Sequence, residues 1–340
     1  IHGSPTCVMA FGEEGNCVGY LVGQENAGMR NMFTMMNHAR IGVGLQGVSI
    51  AERAYQHSVM FARERVQSAA IGGKTNTPVA IIEHPDVRRM LLTMRATTEA
   101  ARAIIYRNVW AADRAHVATD PDERAKALGE ADLLTPISKA YSTDIGVEAA
   151  SLAVQIHGGM GFVEETGVAQ YYRDIRIAPI YEGTNGIQAL DLVGRKLNMD
   201  GGAHWQALIA EMRAFTADDM SGAMHSFSET LVAGINALEQ AATQLQDNGF
   251  EGILDTASAA TPYLRLFGTV VGAYLLARQA TEAERRIAAG VGSPQFLKSK
   301  ITTAQFFIEQ LLPPATALLS PIQAGSASIC AIAAEDFERA

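Results

Sequence analysis

Cysteine is scarce in this 340-residue chain: Cys7, Cys17 and Cys330 are an odd number and carry neither metal-ligand nor redox spacing. That argues against a disulfide framework and points to a reducing compartment, with the cytoplasm as the expected location. The eight histidines are scattered without a helical ligand pair, so no metal site is expected. No block of Lys or Arg occurs and the formal net charge is -9, which speaks against broad nucleic-acid or anionic-membrane binding. The run Gln310 to Ala334 is nearly free of charge, but Pro313, Pro314 and Pro321 break it, so it reads as buried helix and loop instead of a membrane span. No signal-peptide pattern is visible. What the chain has in quantity is apolar residues, 48% against 19% charged, enough to bury a large core over about two domains. Because it opens on Ile1 directly before His-Gly-Ser-Pro, the expectation is a truncated product of a longer protein.

Residues 5 to 23 alternate apolar and polar around Gly-Glu-Glu-Gly-Asn and predict two strands joined by a turn. Two strands do not make a stable sheet alone, so residues 1–24 read as the end of a β domain whose front is missing. Long helices are predicted from there. The first spans Ala27 to Val66, and a second starts after His84-Pro85 and runs to about Ala112. Asp113 to Glu130 is expected to be loop with a short helix, and a third long helix to follow Thr135-Pro136 and stop at Gly158-Gly159. Shorter helices are predicted over Gly167 to Arg176 and Ile187 to Leu197. Asn198 to Gly202 is the linker candidate, dividing a helical domain at 25–198 from a second at 203–340 whose boundaries Pro262, Pro294, Pro313 and Pro321 mark.

Four motifs carry candidate chemistry, each with a plainer explanation beside it. Arg40 ends Met-Met-Asn-His-Ala-Arg inside an apolar helix, where an unpaired cation is costly; a structural ion pair would explain it equally well. Phe61 to Arg65 lies near a helix C-terminus, which favours cations in any case. Gln155-Ile156-His157-Gly158-Gly159-Met160-Gly161 has three glycines that admit a close ligand, though a helix stop accounts for two. Finally Ile180-Tyr181-Glu182-Gly183-Thr184 places one carboxylate before small residues and a new helix. By itself Glu182 reads as a partner for the helix dipole; facing an apolar cleft it would be a general base.

In this order the motifs resemble the acyl-CoA dehydrogenase family over residues 1 to about 197. Glu83 to Leu91 and Gly186 to Val193 resemble in particular its large bacterial branch with an extra C-terminal helical domain, which includes 3-methylthiopropanoyl-CoA dehydrogenases. The resemblance implies a mainly α fold: a C-terminal four-helix bundle, a remnant of the middle β domain and an additional helical domain. It implies an enzyme that converts an acyl-CoA thioester to a trans-2-enoyl-CoA, with Glu182 as the base and flavin N5 taking the hydride. It implies FAD held between subunits of a homodimer or homotetramer, and an electron-transfer flavoprotein as partner. Carried over residue by residue, Arg65 and Gln67, Gln155, Gly158 and Gly159, and Thr184, Asn185 and Gly186 match FAD-contacting positions. Asn37, Arg40 and Gly183 match substrate contacts. Some family members place the base immediately before the matching arginine; Ala39 stands there, leaving Glu182 as the candidate. Departures are Ser68-Ala69 where the family often has Phe-Gly, and Pro85 where a glutamine is usual. The alternative readings are an acyl-CoA oxidase and an inactive helical assembly module.

Overall fold

The computed structural model describes the chain except His2, Ser221, residues 249–251 and residues 339–340. Its first long helix, α1 (Gly28–Glu64), leads into a small antiparallel hairpin, β1 (Val66–Ala69) with β2 (Pro78–Ala80). Then come α2 (Pro85–Val117) and α3 (Pro121–His157), each with proline at the start, where the missing N–H is no loss. The turn α4 (Gly159–Phe162) and the helices α5 (Val168–Ile175) and α6 (Asn185–Asp191) follow, α6 running on through a wider turn over Leu192–Lys196. The C-terminal part comprises α7 (Ala203–Ala214), α8 (Ser228–Asn248), α9 (Ile253–Ala288), α10 (Pro294–Phe306), α11 (Leu312–Thr316) and α12 (Leu319–Gln323).

Helices α1, α2 and α3 pack on one another, and α5 lies against α1 and α3 to complete a four-helix bundle. Gly44 of α1 faces the Ser138 carbonyl of α3, Gly47 faces that of Ser142, and Phe61 stacks on His157 at 4.3 Å. Both helices therefore advance in the same direction, and the two glycines let their backbones touch where a methyl group would overlap the facing carbonyls. The fold is mainly α, as expected. One apolar core runs from Ile104, Leu133, Ile137 and Tyr141 of the bundle through Leu192, Leu197, Trp205 and Met212 to Phe267, Val270 and Tyr274 of α9. It is continuous across residues 198–202, a tight turn in which Asp200, Gly201 and Gly202 have φ of 48°, 66° and 91°.

Several expectations are corrected. Residues 5–23 form the Gly12–Gly15 turn but no strand; Val8, Phe11, Val18 and Tyr20 stand exposed because no neighbouring strand covers them. The strands that do form flank residues 70–77. Asp113 to Glu130 is mostly helical: α3 begins at Pro121, where the Asp120 carboxylate caps the Asp122 N–H at 3.2 Å, and Pro136 lies inside the helix. The dipeptides Asp120-Pro121 and Thr135-Pro136 carry the same start signal, and packing of α3 against α1, α2 and α9 sustains helix through the second one. Pro262 likewise sits within α9, its neighbours Ala259, Ala260, Tyr263 and Leu264 all buried. No helix among the described residues is long and apolar enough to cross a membrane.

Candidate active site

The loop from Pro179 to Asn185 is closed by the Asn185 N–H donating to the Pro179 carbonyl at 2.9 Å. At its apex Glu182 and Gly183 both occupy the left-handed region, with φ of 57° and 81°. For a glutamate this conformation costs on the order of 1–3 kcal/mol and persists only where the surroundings impose it. Those surroundings are visible. Tyr181 Oη donates to Gln46 Oε1 at 2.6 Å, buried Gln188 donates to the Gly183 carbonyl at 3.2 Å, and Thr184 Oγ1 caps α6 by accepting from the Ile187 N–H. Among the described residues no side chain hydrogen-bonds or ion-pairs with the Glu182 carboxylate, and the N–H groups of Glu182, Gly183 and Thr184 donate to no protein acceptor. A free carboxylate and a run of free donors therefore share one apex.

Buried Arg40 of α1 lies beside Gly183, its Nη2 3.7 Å from where a β-carbon would stand, and Nη1 meets Asp191 Oδ2 at 3.4 Å. Its Nε is buried without a partner. The ion-pair explanation for Arg40 thus holds, yet one donor is left over. Asn37, one turn earlier, donates to Asp132 Oδ1 at 3.4 Å, and Asp132 also pairs with buried Lys196.

Asn185 is held on both sides of its amide. Lys139 Nζ donates to its oxygen at 2.8 Å, while its nitrogen donates to Asp144 Oδ1 at 2.7 Å and Thr143 Oγ1 at 3.0 Å. Burial pushes the Lys139 ammonium down to about 8; the Asp144 carboxylate pulls it back up, Arg40 pushes it further down, and Glu182 again favours the charged form. Burial likewise pushes the Asp144 carboxyl up, against the bond from Asn185 and the charge of Arg265.

The other candidate residues gather elsewhere. Gln155 and Gly158 close α3 and Gly159 begins α4, while Arg65 follows α1, whose Phe61 stacks on His157, and Gln67 lies in β1; all five are solvent-exposed. The Arg65 guanidinium donates to Gln67 Oε1 at 3.2 Å, and nothing lies within 4 Å of a β-carbon at Gly158 or Gly159. The glycines divide by cause: Gly158 has φ of 60°, a methyl group on Gly161 would overlap the Val154 carbonyl, and Gly159 faces open space. Buried His157 accounts for the rest of that motif. It bonds the Ala153 carbonyl at 2.8 Å and stacks on Phe61, and burial holds its pKa down. From Ala140, which Asn185 touches, to His157 is seventeen residues of α3, roughly 25 Å at 1.5 Å per residue. The two groups are separate stations. An exposed guanidinium, two amides and an open glycine turn at one, and free backbone donors at the other, are a donor set that suits an elongated anionic dinucleotide contacted at two places.

Lys139, Asp144, Gln188 and Asp191 were not singled out by sequence reasoning. For Lys139 a signal exists: it is the one cation in the otherwise uncharged run Leu133 to Thr143, every residue of which is buried.

Residues 26–197 match the family model for the acyl-CoA dehydrogenase C-terminal domain, and residues 208–333 the model described as acetyl-CoA dehydrogenase C-terminal like. The 3-methylmercaptopropionyl-CoA dehydrogenase of Ruegeria pomeroyi is 46% identical over 92% of this chain and 53% of its own length. A butyryl-CoA dehydrogenase of Syntrophomonas wolfei is 32% identical over 92% of this chain and 53% of its own. Among solved structures, an acyl-CoA dehydrogenase from Bacillus anthracis complexed with FAD superposes with a TM-score of 0.66 at 19% identity, covering 92% of this chain and 52% of that one. The chain spans about half the length of the relatives it matches.

Proposed function

Since the chain belongs to the acyl-CoA dehydrogenase family, we propose that it forms the catalytic-base half of an FAD-dependent enzyme converting an acyl-CoA thioester to the trans-2-enoyl-CoA. One observation carries this reading: an unpaired Glu182 carboxylate at a strained apex, beside three unclaimed N–H groups. The carboxylate takes the α-proton of the thioester. The neighbouring N–H groups donate to the thioester oxygen as negative charge develops on it, each such donor contributing about 2.7–4 kcal/mol to the transition state. Arg40, beside Gly183, and Asn37, one turn earlier on α1, would be the substrate contacts, and exposed Ile177, Ile180, Ile187 and Leu190 give the acyl chain an apolar rim. FAD, when bound, would supply the two-electron acceptor for the β-hydrogen.

Arg65, Gln67, Gln155, Gly158 and Gly159 would hold the pyrophosphate and adenosine of one FAD, and Thr184, Asn185 and Gly186 the other end of a second. The roughly 25 Å between the two stations favours their serving two different FAD molecules in a homo-oligomer. We take 25–198 as the dehydrogenase bundle and 203–340 as an added helical domain, the whole acting in the cytoplasm with an electron-transfer flavoprotein as acceptor. The 46% identity with the Ruegeria enzyme favours 3-methylthiopropanoyl-CoA as substrate. The test is a panel of acyl-CoA thioesters against the intact flavin-loaded enzyme, read by flavin bleaching. Bleaching by 3-methylthiopropanoyl-CoA at a lower concentration than by butyryl-CoA is expected. Bleaching by no member of the panel would reject the function.

A further inference from the structure

Lys139 is wholly buried in the middle of α3, and the chemistry proposed above gives it nothing to do. An ammonium in a protein interior is costly unless it is paired and hydrogen-bonded. Among the described residues the ammonium has one hydrogen bond, to Asn185 Oδ1 at 2.8 Å. Asn185 in turn closes the Glu182 loop through its own N–H to Pro179, and its amide nitrogen is fixed by Asp144 and Thr143. The charged groups facing Lys139 are Asp144 on its own helix, Arg40 on α1 and Glu182 on the loop itself. The loop's other ties are chiefly Tyr181 to Gln46 of α1, Gly183 to Gln188 of α6 and the Asn185 amide to the Ala140 carbonyl of α3. A left-handed glutamate held so sparsely needs each anchor.

We propose that Lys139 is a positioning residue for the base: acting through Asn185, it holds the closed 179–185 loop and so the left-handed Glu182 in reactive geometry. Asp144 is the opposite jaw of the same clamp. The inference rests on the proposed dehydrogenation. Losing the ammonium frees Asn185 Oδ1 from its strongest donor, so the loop samples conformations in which the carboxylate misses the α-carbon. Displacement of a reacting group by about 1 Å costs on the order of a hundredfold in rate. Substrate contacts on Arg40 and Asn37 do not pass through Lys139, so KM is spared.

The test uses the intact flavin-loaded enzyme and an acyl-CoA that the wild type turns over. Lys139→Met is expected to lower kcat about a hundredfold and to leave KM within roughly threefold. Asn185→Ser should lower kcat, and the double variant should lose no more than the worse single change, because both act through one contact. Lys139→Gln keeps an N–H donor at the end of the side chain and should recover at least about tenfold of the loss. Unchanged kcat in Lys139→Met, losses that multiply in the double variant, or a Gln variant no better than Met would each overturn the proposal. If Lys139→Met does not accumulate as folded protein, Lys139→Gln and Asn185→Ser form the same cycle with the same criteria. Glu182→Gln separates the two levels: turnover surviving there refutes Glu182 as the base, whereas turnover lost there but intact in Lys139→Met refutes the clamp alone.

Discussion

At the scale of single residues, the site is built by spending local stability. Glu182 sits in a conformation that non-glycine residues avoid, and Lys139 is buried with a pKa brought down to about 8 from 10.5. A basic group whose folded pKa is lowered contributes stability only above its unfolded pKa, and that contribution is lost as pH falls through the folded value. Wild-type stability relative to Lys139→Met should therefore rise between about pH 8 and 10.5, which paired thermal melts across that range would show. A relative stability flat across this window would mean that the ammonium is solvated. The sequence showed Glu182, Arg40 and the glycine turn because each belongs to a short local pattern. Their partners were hidden for a physical reason: Lys139, Asp144 and Asn185 meet across more than forty residues of chain, and no local spacing encodes that meeting.

Among the elements, close approach is the governing fact. Gly44 and Gly47 bring α1 against the α3 backbone, and a methyl group at Gly47 would collide with Ser142 carbonyl atoms that have no freedom to move. Gly47→Ala should cost about 1–3 kcal/mol, the range for overpacking, measurable as a lower denaturation midpoint. The joint between α2, α7 and α9 is polar instead. Arg107 forks onto Glu211, which also accepts from Tyr274 at 2.6 Å. Burial alone would push the Glu211 carboxyl up, but the bonds from Tyr274 and Arg107 prevail and hold it below its ordinary range. A lowered acid contributes stability above its unfolded pKa and loses it as pH falls through the folded one. Replacing Glu211 with Gln should accordingly flatten the loss of thermal stability below about pH 4.5; an unchanged acid profile would show that the joint is not electrostatic. Periodicity and caps made α1, α2 and α5 legible within a few residues. The start of α3 was misread because two X-Pro signals compete and only tertiary packing chooses between them. The alternation in residues 5–23 was misread as strand because period-two patterning forms a strand only where a neighbouring strand pairs with it, and none does here among the described residues.

For the molecule as a whole, the continuous core from Leu133 through Leu197 to Phe267 ties the bundle to the helices after residue 202. The two segments that separate family models describe should unfold in one calorimetric transition, and two resolved transitions would show independent domains. This also gives the C-terminal helices a place relative to the chemistry: Arg265 of α9 holds Glu148 of α3 with two bonds of 2.8 and 2.9 Å, one turn from Asp144. The central claim is that Glu182 removes the α-proton of a bound acyl-CoA. Its most direct test is solvent-deuterium exchange at the α-carbon in the intact flavin-loaded enzyme, wild type against Glu182→Gln. Exchange in the wild type and at least about a hundredfold less in the variant is the predicted result, given the usual worth of a positioned base. Equal exchange in both would contradict the account.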